Sequence, residues 1–311
     1  MLLNILFIVV GIALVLWGAD RLTDGAVAVA EKMKMPQIVI GLTIVAMGTS
    51  MPEFCVSFIS ALKGTSDLAV GNIVGSNIFN ALLIVGVSAL VAPMTIMETT
   101  VRKDIPFALV ASALLLIMCL DGNISRIDAG ILFAMFLIFM YMTLKGAKKQ
   151  GADAEAADEA EGKKPMATWL SVVWILVGLL CLIGGSNLFV EGATAVATSL
   201  GVSEAVIGLT IVAGGTSLPE LATSVVSARK GNSGIAIGNA LGSNVFNILA
   251  ILGITGMITP MTLKGITYID LSMLVISIML VWLFSFTKYK IERWEGAVLT
   301  AVFVGYIYSL L

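Results

Sequence analysis

The residues able to do chemistry in this chain come in two matching sets. GTSMPE at 48–53 and GTSLPE at 215–220 each place a glycine, two hydroxyls, a proline and a glutamate inside an apolar run. GNIVGSNIFN at 71–80 and GNALGSNVFN at 238–247 follow with side-chain amides and a further hydroxyl. At a constant offset of 167, the stretches 41–90 and 208–257 agree at 28 of 50 positions without a gap, most densely at Thr, Ser, Asn, Glu and Gly. Lipid-facing Leu and Ile exchange at little cost, so identity concentrated in hydrogen-bonding residues points to a paired site. Glu53 and Glu220 are decisive. A charged side chain near the bilayer centre costs about 2.5–3.5 kcal/mol even on a lenient scale, and neither span core contains a Lys or Arg to offset it. Two such residues call for a cationic counterpart. Protonated carboxyls acting as helix glue would leave the repeated hydroxyls and amides unexplained.

The elements around these residues must supply further oxygen. Pro52 and Pro219 interrupt their helices and are expected to release carbonyls around Ala46–Thr49 and Ala213–Thr216. Asn72, Ser76 and Asn80 follow at steps of four, as do Asn239, Ser243 and Asn247, which lines each trio along one helical face. Asn80 and Asn247 each offer an amide as ligand as well as a hydrogen bond. Gly71, Gly75, Gly238 and Gly242 form neighbouring GxxxG stripes and are read as close backbone packing. Together these groups make an all-oxygen cage of formal charge −2. Such a cage suits Ca²⁺ or several Na⁺ and suits soft transition metals poorly.

The composition says where the cage sits. Hydrophobic residues make up 59% of 311 and charged residues only 12%, against roughly 25% charged in a soluble domain. Apolar runs of spanning length recur throughout, so the chain reads as an all-α integral membrane protein of about ten transmembrane helices. The expected spans are Leu3–Gly18 (continuing towards Glu31), Gln37–Leu62, Leu68–Val91, Ile105–Leu120, Ile127–Leu144, Trp169–Leu188, Ala205–Ala228, Ile235–Ile258, Ile269–Phe286 and Glu292–Leu310. The N-terminal run lacks the positive region of a secretory signal and reads as a retained first helix. Cys55, Cys119 and Cys181 fall in apolar runs and read as small buried hydrophobes. The absence of histidine removes imidazole metal sites and histidine relays. No cofactor, nucleic acid or obligate protein partner is expected, and the net charge of −2 gives no case for nucleic acid.

Five spans per half is an odd number, so the second repeat must lie upside down relative to the first. The halves are 1–146, with core motif 41–90, and 166–311, with core motif 208–257. The linker 147–165 joins them. Its Asp153, Glu155, Asp158, Glu159 and Glu161 lack the spacing of a calcium loop and read as a solvated connection. With the N-terminus outside, fifteen of the 18 lysines and arginines fall on the inner side, and only Lys63, Arg126 and Lys264 fall outside. That bias places both termini outside the cell membrane and the linker in the cytoplasm. The loop after the first helix is basic and the loop after the sixth is not, as an inverted repeat requires.

The doubled strings, GTSMPE with GNIVGSNIFN and GTSLPE with GNALGSNVFN, resemble the α-repeats of the cation/calcium exchanger superfamily, and within it the prokaryotic sodium/calcium exchangers. The match covers both repeats directly and the ten-helix layout by implication. The resemblance implies Glu53 and Glu220 as central ligands, with Thr49, Ser50, Ser76 and Asn80 from the first half and Thr216, Ser217 and Ser243 from the second. Backbone oxygens of Ala46 and Ala213 would complete the sodium sites. Some microbial members and the potassium-dependent branch carry aspartate where this chain has Asn247, so the neutral amide argues against potassium dependence. The implied activity is electrogenic antiport of three Na⁺ for one Ca²⁺ by alternating access, with the long opening helices of each half sliding across the core. Proton-coupled Ca²⁺ antiport is the alternative within the superfamily. A calcium channel would need a ring of identical subunits rather than one inverted pair. Enzymatic chemistry lacks a nucleophile–base pair.

Overall fold

A computed structural model describes residues 2–154, 166–201 and 213–310, of which 148–154 and 213 are described by backbone alone. The chain is almost wholly helical. In the first half α1 is Leu2–Lys32, α2 Gln37–Thr49, α3 Met51–Leu62, α4 Ser66–Val91, α5 Thr100–Asp121 and α6 Arg126–Ala154. In the second half α7 is Thr168–Ser199, α8 Ala213–Thr216, α9 Leu218–Arg229, α10 Ser233–Ile258, α11 Tyr268–Ser285 and α12 Arg293–Leu310. Among the described residues seven helices are long and apolar enough to cross a membrane alone, and the bent pair α2–α3 makes an eighth span. With α8–α9 and α12 they form the ten-helix, two-repeat layout. The part of the expected seventh span before Ala213, and the linker beyond Ala154, lie outside the described residues.

Several expected boundaries shift. The first helix is continuous to Lys32, and α7 runs on to Ser199. The fourth span begins at Thr100 rather than Ile105, through a π-helical turn over Thr100–Asp104 that interrupts the regular hydrogen-bond ladder just before Pro106, which cannot donate to it. The fifth continues to Ala154, taking in residues expected to be linker, since its Ala/Gln/Lys sequence suits a helix once nucleated.

The inversion is visible in helix contacts. On α1, Gly11, Gly18 and Gly25 recur every seventh residue, and their counterparts on α7 are Gly178, Gly185 and Gly192. Gly11 faces Gly185, Gly18 faces Gly178, Gly25 faces Ser171 and Gly192 faces Asn4, so the two helices run antiparallel with backbones touching. A Cβ on Gly18 would stand 2.8 Å from the carbonyl oxygen of Gly178, and one on Gly178 would stand 2.8 Å from that of Gly18. Only glycine allows this approach; in lipid, packing must supply what hydrophobic exclusion cannot.

The core is formed by α4 and α10, most of which is buried, while the other long helices keep apolar faces outward. Gly238 and Gly242 pack against Ile38 and Leu42 of α2, as the GxxxG reading expects, whereas among the described residues Gly71 meets only the Ile266 side chain at 3.3 Å and Gly75 has nothing within 4 Å of a built Cβ, so the first stripe makes no close backbone contact there. Each of the two central helices also crosses the last helix of the other half, with Gly86 against Gly296 and Gly253 against Phe133. Two short antiparallel ladders sew the loops together: β1 (Met94–Thr95) pairs with β4 (Lys290–Ile291), and β2 (Asn123–Ile124) with β3 (Met261–Thr262).

Overpacking the glycine seam should unseat α1 from α7. Gly185→Leu and Gly18→Leu are expected to destabilise by about 1–3 kcal/mol or more, read as a lower melting temperature in detergent. Gly184→Leu, on the exposed face with nothing among the described residues within 4 Å of a built Cβ, should melt with the parent.

Candidate functional site

The break between α2 and α3 positions the first glutamate. Ser50 leaves the helical path and the chain bends by 49°. Pro52 then falls in the first turn of α3, where its lack of an N–H is harmless. Glu53 follows in the same first turn, where the exposed N–H groups of a helix favour an acidic side chain. Ser217, Pro219 and Glu220 repeat the arrangement at the start of α9. Both helices end alike, with Gly64 (φ +78°) and Gly231 (φ +82°) in the left-handed region. The following N–H groups close the turn onto Ser60 and Ser227 carbonyls.

The two halves complete each other. Ser50 Oγ donates to Glu220 Oε1 at 2.8 Å, and Ser217 Oγ donates to Glu53 Oε1 at 3.0 Å. Both glutamates are 1% exposed, and among the described residues the second carboxyl oxygen of each has no hydrogen-bond partner. Ser76 joins this cluster, its Oγ 3.4 Å from that of Ser217. Thr49 is buried and donates to Asn239 Oδ1 at 3.0 Å. Thr216 is half-buried at the equivalent place.

Asn80 and Asn247 occupy matching π-helical turns, Phe79–Ile84 and Phe246–Ile251, within α4 and α10. Such turns widen the helix locally and recur at functional sites. Asn80 Oδ1, Asn247 Oδ1 and Ser243 Oγ are buried and unpaired among the described residues. Buried oxygens without partners are rare in folded proteins and call for a physical reason. Five here, including one from each glutamate, belong to the sets that repeat at the offset of 167. A hard cation satisfies such oxygens. Among the described residues no three carboxylate, thiol or imidazole groups gather, so carboxyls alone would not hold a metal and the hydroxyls and amides must share the work.

Two expectations change. The Ala46 carbonyl is not released: it accepts from the Ser50 N–H at 3.0 Å, with the Thr49 hydroxyl oxygen 3.3 Å away, because the chain turns after Thr49. Ala213 opens the short helix α8 at the edge of the described residues. Cys55, expected to be a buried hydrophobe, is exposed beside a cavity of about 500 Å³ that also reaches Thr216. Cys119 is buried and Cys181 half-buried, and all three thiols are free.

The sequence reading placed Asn72 and Asn239 on the faces of Asn80 and Asn247 without giving them work of their own. Asn239 donates to the Glu220 carbonyl at 3.1 Å and to Ser224 Oγ at 3.0 Å while accepting from Thr49, so it ties three elements together. Asn72 likewise holds the Glu53 carbonyl and Ser57. Asn77 was missed. It accepts from Asn244 through its carbonyl and from Asn247 Nδ2 through its side chain, both at 3.2 Å, and so links the central helices. Identity at the offset of 167 marks Ser57/Ser224 and Asn77/Asn244 as clearly as it marks the glutamates.

Known proteins are similar to this chain along its whole length. The family model described as sodium/calcium exchanger protein matches residues 3–145 and 170–311. A putative antiporter, CaxA, of Alkalimonas amylolytica is 37% identical across 100% of this chain and 99% of its own. The sodium/calcium exchanger MaX1 of Methanosarcina acetivorans is 30% identical across 99% of this chain and 98% of its own. The solved structure of the sodium-calcium exchanger NCX_Mj superimposes with a TM-score of 0.87 at 30% identity, covering 100% of this chain and 99% of that one. With both repeats matched in sequence and the fold matched end to end, the chain belongs to the sodium/calcium exchanger protein family.

Proposed function

We propose that this membrane protein is a secondary active antiporter that exchanges Na⁺ for Ca²⁺ by alternating access. The observation that carries the reading is the reciprocal pair at the centre: each buried glutamate is held by a serine of the opposite half and keeps one oxygen without a hydrogen-bond partner among the described residues. Glu53 and Glu220 are the central ligands, joined by Thr49, Ser50, Ser76, Asn80, Thr216, Ser217, Ser243 and Asn247. Ala46 and Ala213 would contribute carbonyls only after a change at the break in each half. The names of MaX1 and NCX_Mj support sodium and calcium as the exchanged ions.

Exchange follows from exclusion. One cage with two carboxyls cannot hold a full sodium complement and a calcium ion with comparable stability, so one displaces the other. An empty cage would carry uncompensated carboxylates through a low dielectric, which opposes uncoupled return. The α1–α7 pair, locked along its glycine seam, is the body that slides over the core formed by both halves, 1–146 and 166–311. The lysine and arginine bias supports both termini outside and the linker 147–165 in the cytoplasm. No resident cofactor enters this reading.

Radioactive Ca²⁺ uptake into proteoliposomes loaded with Na⁺, K⁺ or low-pH buffer tests the coupling. Uptake is expected only with the Na⁺ load, and Glu53→Gln and Glu220→Gln should each abolish it. Uptake driven by the proton load would reassign the counter-ion, and uptake without any gradient would make the protein a channel. The reciprocal geometry adds a quantitative expectation. Ser50→Ala and Ser217→Ala each remove one hydrogen bond to a carboxyl and should raise the half-saturating Ca²⁺ concentration about tenfold, by similar amounts. A large effect from one serine alone would refute their equivalence.

A further inference from the structure

The two halves repeat in sequence but differ in conformation at their first helices. On one side, α7 stands away from α3, leaving the cavity of about 500 Å³ lined by Pro52, Cys55, Asn187, Glu191 and Thr216. Subtracting or adding the offset of 167 converts those residues to Pro219, Ala222, Asp20, Asp24 and Thr49. There α1 lies against α9, and Pro219, Ala222 and Thr49 are buried. One entrance is open and its inverted counterpart is shut.

What shuts it is polar. Lys230, at the end of α9, places Nζ 2.6 Å from Asp20 Oδ1 and 2.7 Å from Asp24 Oδ1 on α1, and donates to the Asp20 carbonyl at 3.2 Å. Thr23 and Ser227 hydroxyls meet one turn deeper at 2.9 Å. Arg21 lies 3.6 Å from Asp24 and 5.1 Å from the Trp174 ring centre, which braces the same patch against α7. At the open entrance the corresponding residues are Lys63, Asn187, Glu191, Val190 and Ser60. Lysine is kept at 63 as at 230, and an acid at 191 as at 24. Glu191 and Lys63 are both exposed, and among the described residues they form no ion pair.

When access alternates in an inverted repeat, the halves exchange conformations about the fixed site. We propose that Asp20 and Asp24 with Lys230 form an ionic latch that holds one entrance shut while the vestibule beside α7 is open, and that Lys63 with Glu191 is its inverted counterpart, formed when the vestibule closes. The latch rests on the alternating-access reading above. The two latches are unequal. The formed one has two carboxylates and a hydroxyl contact, whereas its counterpart has one carboxylate, an amide at Asn187 and no hydroxyl at Val190. That inequality favours the state with the open vestibule.

Cys55 gives a direct readout, because it is exposed and lines the vestibule, while its counterpart Ala222 at the shut entrance is buried. Full-length protein in proteoliposomes is labelled with a membrane-impermeant maleimide at constant ion composition, and the modified cysteine is located by mass spectrometry. Lys230→Met is expected to slow Cys55 labelling roughly two- to fivefold, the shift that a partly exposed ion pair can impose. Adding Lys63→Met should return the rate towards the parent's, since both latches are then gone. Lys230→Arg keeps the pair and should label as the parent does, which separates a lost latch from a lost fold. An unchanged rate in Lys230→Met, or a slowed rate that Lys63→Met fails to restore, would overturn the proposal. Labelling is read without ion flux, so the expected pattern in a protein that exchanges no ions would refute the antiport reading and leave the latch standing.

Discussion

Two carboxyl groups buried in an apolar protein constrain everything else. Glu53 and Glu220 are each 1% exposed, and no lysine or arginine from their own spans reaches them. Serine hydroxyls supplied by the opposite half meet one oxygen of each. Neither half can therefore satisfy its own glutamate, and the two must meet at the centre of the molecule. The break at Ser50, the proline after it and the first turn of α3 all serve that meeting, and Asn239 fixes Thr49, the Glu220 carbonyl and Ser224 around it.

Holding such a centre in lipid demands close packing, because helices gain nothing by hiding apolar surface from apolar tails. The chain meets this demand with small residues placed where backbones cross. The seventh-residue glycines bring α1 and α7 together, Gly238 and Gly242 admit α2, and Gly86 and Gly253 seat the last helices of the opposite halves. The strand pairs β1–β4 and β2–β3 join the same halves at the loops. Cross-linking of one half by the other thus recurs at every level, from side-chain hydrogen bonds to backbone ladders. A single half would leave its glutamate, its glycine seams and its strand edges without partners.

The symmetry is broken where an ion must come and go. The glutamates and their serines match closely, while α1 and α7 sit differently on equivalent helices. The residues that differ between them are polar at the shut entrance and less so at the open one: Thr23 against Val190 and Asp20 against Asn187. A matched centre flanked by differently seated α1 and α7 fits the alternating access proposed for it.

Much of this was determined by the sequence alone. The offset of 167 exposes the repeat, an odd number of apolar runs per half makes the repeat inverted, and oxygen-bearing residues conserved between the copies mark the site, because these are properties of spacing and composition. Spacing along one helix also places Asn80 and Asn247 on faces turned towards the core. It does not say what lies opposite. Only the tertiary structure decided that Ser50 bonds Glu220 rather than Glu53, since the partners are 170 residues apart and meet only when the halves interleave. The same holds for Asn77, for the Ala46 carbonyl kept by its own turn, and for the α1–α7 seam, whose glycines look like ordinary helix-weakening residues until a second backbone is laid against them. Helix ends also moved, at Thr100 and Ala154, because apolar runs mark where lipid begins while hydrogen bonding sets where a helix stops. The unequal seating of α1 and α7 was the least legible feature of all: matching sequences with two conformations differ through contacts, and contacts exist only in three dimensions.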